Sequence, residues 1–171
     1  MTVLGKFEKQ PREVECFAIQ FSQDMTVSDH LTGGYSAINV KGFVERQPNG
    51  AYTVLSTEGG SLFYATANVT PPSNVPDGFT FSVSNTNQNS LITVGSFTVP
   101  SRGSILLKRV SGAWIAEVSV SVVVVDLEGD KRIRATVSGG LNKAIYRIQL
   151  TAATAEGRVL EDEFVLKVKE D

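Results

Sequence analysis

A single cysteine, a single histidine and no apolar run longer than a few residues exclude several kinds of protein at the outset. One cysteine cannot close an intrachain disulfide, and Cys16, set in an apolar strand-like run, reads as a small buried thiol rather than a nucleophile. One histidine removes the common two- and three-histidine zinc sites. It leaves a catalytic triad only if Ser and Asp meet around His30, which beside Asp29 and ahead of Thr32-Gly33-Gly34 reads instead as an exposed turn residue. The longest valine run, Val122–Val125, is far too short to cross a bilayer. Lys6, Glu8 and Lys9 stand where a signal peptide would carry its apolar stretch, so no membrane contact and no export are expected. A net charge of −2 offers no basic field for nucleic acid.

Helical spacing is also missing: no window sets apolar residues three and four apart behind a capping box. What is present is period two, interrupted at intervals by turn residues. Ile133, Ala135 and Val137 alternate with Arg132, Arg134 and Thr136; Tyr146, Ile148 and Leu150 alternate with Arg147, Gln149 and Thr151. Gly139-Gly140 and Glu156-Gly157 sit between these segments and the one at 158–168, which predicts three antiparallel strands in sequence order. Phe17, Ile19 and Phe21 alternate with Cys16, Ala18 and Gln20 and predict another strand. Turn clusters such as Pro48-Asn49-Gly50, Glu58-Gly59-Gly60, Pro76-Asp77-Gly78 and Ser111-Gly112 punctuate the rest. The fold class is all-β, a sandwich or barrel, and 171 residues suffice for one domain with an embellishment or two small ones.

Groups that carry chemistry are scattered. Glu161 and Glu163 share one face of a strand while Asp162 faces away, so a solvated face is favoured over a calcium ligand set. Asp126, Glu128 and Asp130 lack the ligand count of a calcium loop and read as a β-turn. Neither Thr57–Ser61 nor Leu31–Gly34 has the lysine and helix of a phosphate loop. No catalytic residue, cofactor or metal is expected. Tyr52, Tyr64 and Trp114, with Phe63 and Phe79, form either an aromatic platform for a sugar or the filling of a core.

The segments 9–40 and 120–169 resemble the small immunoglobulin-like proteins that join fibres to tails in bacteriophages. The likeness lies in Lys9-Gln10-Pro11-Arg12-Glu13 running into a strand, and in Val137–Gly140, Tyr146–Thr154 and Glu156–Phe164. The intervening stretch is similar to a β-module of phage tail fibres: Val69-Thr70-Pro71-Pro72, a Gly78-Phe79 strand, Asn-rich turns at 85–89, and Gly112-Ala113-Trp114 after a last strand. The resemblance implies a discontinuous immunoglobulin-like β-sandwich from 1–41 plus 118–171 and an inserted β-domain at 42–117. It implies a virion structural protein of the neck or tail, assembled in the host cytoplasm, an adaptor that attaches fibres or spikes to the tail or connector. Its partners would be other virion proteins and further copies of itself in a symmetric ring.

In that setting Arg132, Arg134 and Arg147, with Glu161, Glu163, Lys167 and Lys169 across from them, read either as cross-strand ion pairs or as a charged docking face. Valine at 122–125 predicts a strand covered on both faces, and Met1–Gln10 a flexible arm for strand addition to a neighbour. The alternatives to an adaptor are a carbohydrate-binding or adhesive module and a capsid decoration protein.

Overall fold

The computed structural model describes residues 3–11, 13–21, 24–127 and 130–169, and among them it is all-β, with no helix. In chain order the strands are β1 (Val3–Lys9), β2 (Val14–Gln20), β3 (Leu31–Asn39), β4 (Val44–Arg46), β5 (Tyr52–Thr53), β6 (Ser61–Ala65) and β7 (Val69–Thr70). There follow β8 (Thr80–Asn85), β9 (Ile92–Val94), β10 (Phe97–Val99), β11 (Ser104–Val110), β12 (Ala113–Leu127), β13 (Asp130–Gly139), β14 (Ile145–Thr154) and β15 (Val159–Val168). They form three sheets: a seven-stranded one in the order β2-β13-β12-β11-β8-β6-β4, and two four-stranded ones, β1-β15-β14-β3 and β10-β9-β7-β5.

The seven-stranded sheet is a middle layer whose two ends are covered on opposite faces. Period two explains how. On β11, Leu106 joins a core with Val118, Val120, Val122, Ile133, Ile148 and Phe164, while its neighbours Ile105 and Leu107 join a second core with Phe63, Phe81, Val83 and Ile92. The first core lies under β1-β15-β14-β3 and the second under β10-β9-β7-β5. β12 serves both. Its register against β11 shifts between Leu106 and Leu107, which leaves Glu117 as the extra residue of a bulge; before it Trp114 packs on the second core, and after it Val118, Val120 and Val122 pack on the first. A sequence boundary at Glu117 therefore falls inside a continuous strand.

Several expectations are corrected here. β13 and β14 are not neighbours: β13 pairs with β12 and β2, whereas β14 pairs with β15 and β3. Gly139 and Gly140, at φ 78 and 111, carry the chain from one sheet to the other as an arch. Only the β14–β15 pair is a hairpin of the expected kind, closed at Glu156-Gly157. Thr32-Gly33-Gly34 is not a turn but the start of β3, where a Cβ on Gly34 would lie 2.6 Å from the Thr151 carbonyl oxygen and one on Gly33 2.7 Å from Gln88 Oε1. Residues 3–9 are not an arm; they run parallel to β15 as an edge strand of their own sheet. Val122 is buried but Val123 is 60% exposed, because alternation persists from Val122 to Val124 and only one face is covered. Cys16 is exposed, since β2 is the sheet edge and its even positions face solvent.

The two parts of the first core are laced together by short polar links. Ser36 of β3 meets Ser104 of β11 at 2.8 Å between hydroxyls, and Ser84 Oγ donates to the Ser36 carbonyl at 2.7 Å. Small side chains let β3 lie close across β8 and β11. At the far end the carboxylate of Asp29, buried, accepts from Arg158 Nη2 at 2.8 Å and from the Glu156 and His30 amides at 3.1 and 3.0 Å. That clasp holds the loop before β3 to the β14–β15 turn. His30 itself is exposed.

Candidate functional site

The residues singled out from the sequence are not all brought together. Arg132 and Arg134 lie on the outward face of the seven-stranded sheet, while Arg147, Glu161 and Glu163 lie on the outward face of β14 and β15, across the thickness of the sandwich. They cannot form one docking face, because the arch at Gly139-Gly140 puts β13 and β14 in different sheets. Arg147 does pair with Glu163 at 3.1 Å, in a cross-strand arrangement that buries Glu163, and Lys167 pairs with Glu8 at 3.5 Å. Glu161 stays exposed.

The three aromatics do not make one platform either. Trp114 is half-buried against Phe79 and Phe81, with the Arg109 guanidinium 5.6 Å from its ring. Tyr52 packs on Phe63 at 5.6 Å, on the same side of β6 as the second core. Tyr64 is the neighbour of Phe63 in sequence, so it points from the other face of β6. Its ring partner is Tyr35 of β3, 6.1 Å away and edge-on at 73°. Tyr35 was not marked by the sequence, since it follows two glycines that look like a turn.

Tyr35 and Tyr64 line a groove of about 420 Å³ with Glu45, Gln47, Pro48, Thr66, Thr86 and Glu161. Register builds it. β4 runs parallel to β6 with Glu45 opposite Leu62, so Glu45 shares a face with Tyr64, while Arg46 falls on the other face and its Nε donates to Ser61 Oγ at 3.0 Å. On the other wall Tyr35, Thr151 and Glu161 stand in one row across β3, β14 and β15. Burial above all, and then the nearby charge of Glu45, the Tyr35 phenol and Glu161, raise the Tyr64 pKa, so its hydroxyl stays protonated.

A second hollow of about 360 Å³ lies on the other side of the Glu45–Pro48 segment, lined by Arg46, Tyr52, Glu58 and Phe63. Its carboxylate is already satisfied: Glu58, 6% exposed, accepts from Tyr52 Oη at 2.8 and 2.9 Å and from the Leu55 amide at 2.9 Å, with Arg46 Nη1 3.3 Å away. The hydrogen bond to Glu58 is the main reason the Tyr52 pKa is raised. A smaller cleft, of about 280 Å³ and rich in hydroxyls, lies where Thr98–Pro100 meets Ser119, Ser121, Thr136 and Ser138. Among the described residues no three His, Cys, Asp or Glu side chains gather as a metal would need; Glu128 lies outside them. Compared with known proteins, the chain matches no family model, no curated protein and no solved structure.

Proposed function

We propose that the chain is a structural binding protein of a bacteriophage particle, an adaptor of the neck or tail that holds fibres or spikes through protein contacts. The strand order is the observation that carries this reading. Taken as one unit, β2-β13-β12 and β1-β15-β14-β3 follow the B-E-D and A-G-F-C sets of an immunoglobulin-like sandwich, with the first strand laid along the last. Residues 42–117 would then enter between its C and D strands, which is the split that the adaptor resemblance implies.

The outward face of β2, β13 and β12 is suited to docking. It presents Cys16, Ala18, Ser119, Ser121, Val123, Thr136 and Ser138, small and mostly uncharged, with Arg132 and Arg134 as its basic positions. A sheet face of small side chains can accept a second sheet packed on it, and arginine is enriched in such interfaces. Copies around a symmetric ring would multiply weak contacts of this kind.

Sedimentation of the full chain, alone and with the fibre and tail proteins of the same particle, tests the proposal. Association is expected, and Arg134→Glu should weaken it while leaving the melting temperature within a degree or so, since outward strand positions change stability by less than about 0.5 kcal/mol. A chain that stays monomeric, ignores those proteins and binds a soluble glycan is an adhesive module instead.

A further inference from the structure

We propose that the groove between Tyr64 and Glu161 is a receptor for the guanidinium of an arginine side chain carried by a partner protein. The proposal takes the source of that arginine from the adaptor reading; the chemistry of the groove stands by itself. Two carboxylates, Glu45 and Glu161, reach it from opposite walls, and among the described residues no lysine or arginine lines it. Among the described residues neither carboxylate has an ion-pair partner. Between them stand the rings of Tyr35 and Tyr64, whose faces attract cations. The negative charges of Glu45 and Glu161 both act on the Tyr64 hydroxyl, so the two carboxylates bear on the same part of the groove.

The neighbouring hollow shows what such a set accepts. There a guanidinium, Arg46, already lies 3.3 Å from a carboxylate, Glu58, beside a tyrosine, Tyr52, that donates to the same oxygens. The groove repeats carboxylate and tyrosine without the cation. A guanidinium fits better than an ammonium because it is planar, stacks on an aromatic ring and can donate to two carboxylates at once. Its aliphatic stem would lie along Pro48.

Nuclear magnetic resonance titration of the full chain with N-acetyl-arginine amide is the direct test. A saturable shift is expected at residues 35, 45, 64 and 161, with a dissociation constant of about 1–10 mM for so small a probe. Glu45→Gln with Glu161→Gln should weaken it at least about tenfold, since both positions are exposed and the fold does not depend on them. The neutral citrulline analogue should produce no saturable shift. Equal response to citrulline, no saturation by arginine, or saturation only by a neutral disaccharide overturns the proposal. The same double variant in sedimentation separates the two readings. Loss of association places the arginine in the partner. Undiminished association removes the groove as a docking site and leaves the adaptor reading standing.

Discussion

Asp29 shows how one side chain decides the behaviour of a loop at low pH. Burial by itself would raise its pKa, but the Arg158 guanidinium, the amides of Glu156 and His30 and the Thr154 hydroxyl outweigh that and hold it at about 2. A carboxylate held below its unfolded value adds stability that is complete above about pH 5 and disappears as the pH falls toward about 2. Asp29→Asn should therefore melt lower than the wild type at neutral pH, and the gap should close between about pH 5 and about pH 2, as thermal unfolding followed by circular dichroism would record. None of this was visible in the sequence, where Asp29 served only to describe His30. The partner Arg158 stands 129 positions away, and nothing in spacing links the two. Glu58 escaped notice for a similar reason: in Glu58-Gly59-Gly60 it looks like a solvated turn residue, yet it anchors Tyr52, Leu55 and Arg46.

At the level of strands, the sequence specifies faces far better than partners. Alternation placed Ile133, Ala135, Val137, Tyr146, Ile148 and Leu150 inward, and all six are buried. The segment expected as a strand at 158–168 is one, β15. Partners depend on where a chain crosses between sheets, and Gly139-Gly140 suits an arch as well as a hairpin, since both need positive φ. The groove was half legible for the same reason: Tyr64 and Glu161 stood out, but Tyr35 and Glu45 belong to β3 and β4, whose glycines and shortness concealed them. The face assignment on β12 and β13 has a measurable contrast. Ile133→Ala, at a fully buried position, should cost about 2–5 kcal/mol, whereas Val123→Ala, on the exposed side of the adjacent strand, should stay within about 0.5 kcal/mol in urea unfolding.

The whole molecule is two cores on one sheet. Leu106 belongs to the core that the outer segments build, although it comes from the middle of the chain, and β12 supplies apolar side chains to both. Removing residues 42–117 would thus take Leu106 from the remaining core and leave the β12 edge unpaired by β11. The intact chain should unfold in one calorimetric transition whose measured enthalpy equals the van't Hoff value, and two resolved transitions would mean that the cores are energetically independent.

The continuity of β12 also bears on how the chain would carry force. If one partner grips the residues around the small sheet and another grips the outer sandwich, tension between them runs along β12. Its ladders to β11 and β13 are then loaded lengthwise, in shear, so many hydrogen bonds must yield together instead of opening one by one as at a peeled hairpin end. A hinge between two separate domains would bend under the same pull. This strand would transmit it, making the protein a stiff tether between whatever it joins.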